Sequence, residues 1–101
     1  MTWKVLIHPL VWKEDLPRLD VSEQKRVLKT IRKKLTIDPQ GYGEPLRGKL
    51  AGYWKLKVTD LRVVYSIKKD VVTVKVLKVG ARRDFEVYED LIRRIPEILD
   101  F

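Results

Sequence analysis

Lys55, Lys57 and Arg62 carry the chemistry that stands out in this sequence. In GYWKLKVTDLRVVYSI, Trp54, Leu56 and Val58 alternate with the two lysines. Leu61, Val63, Tyr65 and Ile67 then alternate with Arg62, Val64 and Ser66. Each half reads as a strand with one apolar face. A turn at Thr59-Asp60 sets residue 57 nearly opposite residue 62, where like charges repel. No acid within the segment balances that face, so the cluster needs an anion at least part of the time. Arg82 and Arg83 follow a third strand closely enough to complete the same pocket, and Tyr88 lies one helical turn past Asp84.

Lysine, arginine and tyrosine can cleave RNA. A lysine packed among cations loses its proton more readily and can take the proton of a ribose 2′-hydroxyl. Arginines can hold the scissile phosphate and stabilise charge growing in the transition state. A tyrosine can stack on a base or orient the phosphate. The 2′-hydroxyl is then the nucleophile, so DNA is not cut. Other chemistries have less support. The single histidine, His8, stands beside Pro9 at a strand end and reads as a cap or surface residue. Metal catalysis on a phosphodiester needs clustered carboxylates, and the basic region offers Asp60 and Asp70, both in turns. No metal or cofactor is expected: no phosphate-binding glycine motif of the GxxxxGK[ST] or GxGxxG type occurs.

The elements that must position these residues follow from periodicity. Trp3–Ile7 reads as a strand, and Pro9 opens a brief helix through about Leu19 that Pro17 makes irregular. Asp20 and Glu23 form a capping-box pattern. Val27, Leu28, Ile31 and Leu35 recur at helical spacing, opposite Lys25, Arg26, Lys29, Arg32 and Lys33. Asp38-Pro39 stops this helix. Pro39–Gly52, rich in Gly and Pro, reads as a loop. The strands Tyr53–Val58, Leu61–Ile67 and Val71–Val79 follow, joined by short turns, and Gly80 ends the sheet. Alternation slips within VVTVKVLKVG, which leaves the faces of Lys75 and Lys78 open. Asp84 caps a last helix with Val87, Leu91, Ile92 and Ile95 inward, broken at Pro96. The order β-α-α-β-β-β-α predicts a single α+β domain over residues 1–101, an antiparallel meander with helices packed on one face. Trp54 and Tyr65 are expected in its core.

Composition narrows the function classes. The chain has 101 residues, 45% hydrophobic, and no cysteine. That fits one modest core and a reducing cytoplasm. No apolar run approaches the roughly 20 residues of a membrane span, and MTWKVLIHPLVWKED is too charged to read as a signal peptide. The net charge is +8, yet residues 47–83 alone hold eleven cations and two acids. The remainder is near neutral, so the excess is segregated, as a polyanion-binding surface would require.

At these residues the sequence resembles the RelE branch of the RelE/ParE toxin superfamily over nearly its whole length. PLRGKLAGYWKLKVTDLRVVY is similar to that family's loop-and-hairpin segment, and VLKVGARRDFEVYEDLIRRI to its C-terminal segment. The resemblance implies a RelE-like fold and a ribosome-dependent mRNA endonuclease, neutralised by a RelB-like antitoxin. It implies Lys57 as general base, Lys55 and Arg62 as phosphate-binding and transition-state-stabilising residues, Arg82 as general acid and Tyr88 as the residue orienting RNA. Arg47, in PLRG, would be an accessory basic contact, and Lys49 and Arg83 are further RNA-binding candidates. The expected partners are therefore the antitoxin, the ribosome and mRNA, with no membrane. Two alternatives stay open: a ParE-like gyrase inhibitor on the same scaffold, and a non-catalytic RNA- or ribosome-binding module. The IPEILDF tail could lie over the site, extend the helix or do neither.

Overall fold

The computed structural model describes residues 2–81, 86–99 and 101. The first strand, β1 (Lys4–Ile7), is short, and the chain leaves it through two tight helical turns, Val11–Asp15 and Leu16–Arg18. Asp20 then starts α1 (Val21–Thr30) as the sequence predicts. Its carboxylate accepts the Glu23 N–H at 2.8 Å, and the Glu23 carboxylate accepts the Asp20 N–H at 3.2 Å. The reciprocal pair satisfies two donors that a helix start leaves open. A wider turn, Ile31–Leu35, continues α1, and the 3.6-residue spacing buries Val27, Ile31 and Leu35.

Pro39–Gly52 is not one loop. It contains α2 (Pro39–Tyr42), capped by the Asp38 carboxylate on Gly41 N–H at 2.9 Å, and a two-residue strand, β2 (Glu44–Pro45). Proline hides β2 from a sequence reading, because a strand containing it is viable only at a sheet edge. Pairing makes it a strand: Glu44 sits opposite Lys55, and Pro45 opposite Trp54. Tyr65 donates its hydroxyl to the Pro39 carbonyl at 2.6 Å and pins the segment to the sheet. Gly43 permits that contact, since a Cβ there would stand 1.7 Å from the Tyr65 hydroxyl oxygen.

The hairpin β3 (Tyr53–Val58) and β4 (Leu61–Lys68) has the expected two-residue turn, with Thr59 at φ 54°. The next strand, β5 (Thr73–Ala81), starts later than predicted and runs through Gly80. Lys69–Val71 form a helical turn, and Val72 reverses the chain at φ 45°. The slip in alternation is a bulge: Val64 faces Lys78, and the next residue, Tyr65, faces Val76.

The sheet order is β1-β5-β4-β3-β2, with β1 parallel to β5 and every other pairing antiparallel. The α+β class and the antiparallel meander are those expected. The helical layer of α1 and the turns before it packs Val11, Leu16, Val27, Ile31 and Leu35 onto Leu56, Val63, Tyr65 and Val76. The last helix, α3 (Glu86–Ile98), packs Val87, Leu91 and Ile98 on a different set, Leu50, Val64 and Leu77. Val63 and Val64 are adjacent in a strand, so α1 and α3 cover opposite faces of the sheet.

Two expectations for α3 change. The helix runs through Pro96 to Ile98, because proline in the last turn removes a single intrahelical bond and the Leu99 N–H still reaches the Ile95 carbonyl at 3.2 Å. Ile92 points outward at 40% exposure, and Arg94 is buried instead. Among the described residues no helix is long and apolar enough to cross a membrane.

Candidate functional site

Hairpin register builds the site. Lys57 pairs directly with Arg62, and Lys55 with Val64. Leu56, Val58, Leu61 and Val63 enter the α1-side core, so Lys55, Lys57 and Arg62 all belong to the opposite face. Lys57 is exposed and Lys55 half-buried. Arg62 is 7% exposed, and its Nη1 donates to the Leu61 carbonyl at 2.9 Å and the Thr59 carbonyl at 3.4 Å. The hairpin's own carbonyls therefore hold this guanidinium, and among the described residues it pairs with no carboxylate. Arg62 lies opposite Gly80 of β5, two residues before Arg82 in sequence.

The expectation of an unbalanced cationic face is corrected by one residue. Glu44 of β2 reaches both lysines, with its oxygens 3.7 Å from Lys55 Nζ and 3.7 Å from Lys57 Nζ. The sequence reading missed it because it lies in the supposed loop. A signal was there: Glu44 is the sole acid between Asp38 and Asp60. With Glu44 and Lys57 both more than half exposed, these contacts contribute little to stability, so their interest is chemical: they set an anion beside two ammonium groups.

The other candidates fall around this centre. Arg47 and Lys49 are exposed on the segment between β2 and β3. Tyr88 is partly buried against the cluster that α3 forms with the sheet. Arg82 and Arg83 lie outside the described residues. His8 is a cap: its Nδ1 accepts the Leu10 N–H at 3.0 Å, and its ring meets the Phe101 ring edge-on at 4.7 Å between centroids. The tail after α3 folds onto Lys75, whose Nζ bonds the Phe101 main-chain oxygen. Lys75 pairs with Ser66, and Ser66 with Tyr53, four residues along β3 from Lys57. That is about 13 Å at the rise of a strand, so the tail extends the helix and ends away from Lys57.

A second residue was missed. Asp15 is buried, and both its oxygens are engaged by Lys78, Arg94 and the Val79 N–H at 2.8–2.9 Å. An acid five residues before the Asp20 cap gives no sequence signal of this, because its partners are more than sixty residues away.

Comparison with known proteins places this geometry. Residues 6–85 match the family model described as ParE toxin of type II toxin-antitoxin system, parDE. No curated protein matches the sequence. Among solved structures, the chain is similar to the toxin–antitoxin complex RelBE2 from Mycobacterium tuberculosis, at 27% identity and a TM-score of 0.77, covering 83% of this chain and 95% of that one. It is similar to the RelE–RelB complex from Pyrococcus horikoshii, at 28% identity and a TM-score of 0.64, covering 83% and 99%. The fold also matches a double arginine-to-alanine mutant of the Escherichia coli toxin RelE in the free state, at 24% identity and a TM-score of 0.66, covering 94% and 99%. With the family model spanning most of its length, the chain belongs to the ParE toxin family of type II toxin–antitoxin systems, within the RelE/ParE superfamily.

Proposed function

We propose that this toxin is an endoribonuclease that cleaves ribosome-bound mRNA without a metal cofactor. The observation that carries this reading is the register that sets Lys57 against Arg62, with Lys55 on the same face. A phosphodiester laid on that face meets cations from two strands. Lys55 and Arg62 bind the phosphate and stabilise the charge that builds on it. The 2′-hydroxyl proton passes to Lys57 as its oxygen bonds to phosphorus. The bond to the 5′-oxygen breaks, and that oxygen takes a proton from Arg82, leaving a 2′,3′-cyclic phosphate and a 5′-hydroxyl. Tyr88 and the basic residues Arg47, Lys49 and Arg83 hold the flanking RNA.

Glu44, 3.7 Å from Lys57 Nζ, is the counter-ion that an incoming phosphodiester replaces. Its displacement leaves Lys57 among cations, where the neutral amine that accepts the 2′-hydroxyl proton is favoured.

The partner in the cell is an antitoxin of RelB type, as in the two complexes that share this fold. Charge complementarity favours an acidic or amphipathic segment. Val5, Ile7, half-exposed Trp12, Leu28 and Ile31 line a groove beside β1 that suits its apolar side chains.

The test is to map mRNA 5′ ends after brief induction in a bacterial host. Wild type should produce new 5′ ends within translated messages and Lys57→Ala should not; equal cleavage by both removes the assignment. The match to the ParE toxin model supports keeping a second reading, the ParE-like gyrase inhibitor. Loss of supercoiling by purified gyrase, with mRNA intact, would establish that instead. Salt-dependent binding to RNA that stays whole would mark a non-catalytic module.

A further inference from the structure

β1 pairs with β5 over Thr73–Val76 alone. Past Val76 the outer edge of β5 has no strand beside it among the described residues, and its backbone donors need other partners. Asp15 supplies one. Its Oδ2 accepts the Val79 N–H at 2.9 Å, doing for that edge what a strand would do. The same carboxylate takes both arms of the Arg94 guanidinium at 2.8 Å and Lys78 Nζ at 2.8 Å. Arg94 also donates to the Leu77 carbonyl at 3.1 Å. Glu14 stands 3.5 Å from Arg94, and Asp90 stands 3.7 Å from Lys78.

Two cations and an acid, each at most 7% exposed, are thus drawn from three separate elements. A buried cluster of this kind is a poor route to stability, since apolar side chains of the same volume often do as well or better. What it does supply is directional geometry. The elements it joins bear on the candidate site: Gly80 of β5 pairs with Arg62, and Tyr88 is on α3 six residues before Arg94.

We propose that Asp15 is a positioning residue for RNA cleavage. Through Val79 and Lys78 it fixes the end of β5 whose Gly80 pairs with Arg62, and through Arg94 it fixes the helix that bears Tyr88. This rests on the nuclease reading above. It adds that catalytic geometry depends on a carboxylate on the α1-side turn, which touches no RNA.

The test uses purified wild type, Lys57→Ala and Asp15→Asn with mRNA-programmed ribosomes, at a temperature well below the melting point of each. Asp15→Asn keeps the shape and removes the charge. The expected result is a kcat lower by about a hundredfold, with KM within about twofold and a folded protein by circular dichroism. A purely structural role would lower the melting temperature and leave kcat per folded molecule unchanged, and that result overturns the proposal. Should Asp15→Asn not fold, the triple variant Asp15→Leu, Lys78→Leu, Arg94→Met restores an apolar fit. Low kcat in that folded variant supports positioning, and wild-type kcat overturns it. Wild type that leaves RNA uncut, or Lys57→Ala that cuts normally, brings down the nuclease reading and this inference with it. Wild-type kcat in Asp15→Asn, beside an inactive Lys57→Ala, brings down the inference alone.

Discussion

The Glu44 carboxylate lies 3.7 Å from Lys57 Nζ, brought there because β2 pairs with β3 at Glu44 and Lys55. Removing its charge tests whether it competes with the phosphate. Glu44→Gln should raise RNA affinity by about two- to fivefold, because a weak exposed ion pair of up to about 1 kcal/mol no longer opposes binding, and should leave cleavage of bound RNA at the wild-type rate or above. Cleavage that falls about a hundredfold in Glu44→Gln, in the range of a lost acid–base group, would assign the carboxylate to proton transfer instead.

Lys57 separates activity from folding. Its side chain is more than half exposed, so Lys57→Ala should shift stability by no more than about 0.5 kcal/mol. Cleavage should fall by about 10²–10⁴-fold. Thermal melts and primer extension on the same preparation measure both. A large stability loss would show that the lysine serves the fold.

Tyr65 holds the segment that delivers Glu44. Burial, with the Asp38 charge as a second cause, pushes the Tyr65 hydroxyl well up, so it stays protonated and donates to Pro39. Tyr65→Phe leaves the Pro39 carbonyl without that donor and should cost about 1–3 kcal/mol in denaturant unfolding. Gly43→Ala, which forces a Cβ against the same hydroxyl, should destabilise by about 1–3 kcal/mol.

The α1 cap has a pH signature. The Glu23 backbone N–H, then the Ser22 hydroxyl, hold the Asp20 carboxyl below its usual range. Its folded pKa is depressed, so its contribution is complete above the ordinary aspartate value of about 3.9 and disappears as pH falls through the lower folded value. Asp20→Ala should therefore be less stable than wild type at pH 7, and the two should converge in strong acid. A stability gap that persists at pH 2 would contradict this.

Local chemistry made much of the molecule legible from its residues. The Asp20–Glu23 cap, the helical stripe of Val27, Ile31 and Leu35, and the Thr59-Asp60 hairpin rest on neighbours within a few residues, whose geometry the backbone period imposes. The facing of Lys57 and Arg62 follows from the same period and the turn length. Pairings with no local signal were not legible. A two-residue strand containing proline has no pattern to read, so Glu44 was hidden. The bulge at Val64 and Tyr65 shifts the register of β5, so the surroundings of Lys78 were open.

Sequence alone determined which cations share a face, because alternation along a strand permits no other arrangement once one side is buried. Tertiary structure decided what stands against them. Glu44 beside Lys57, and Asp15 among Lys78, Val79 and Arg94, are contacts between segments far apart in the chain. Their identity depends on which strand edges close on one another, which no local spacing records.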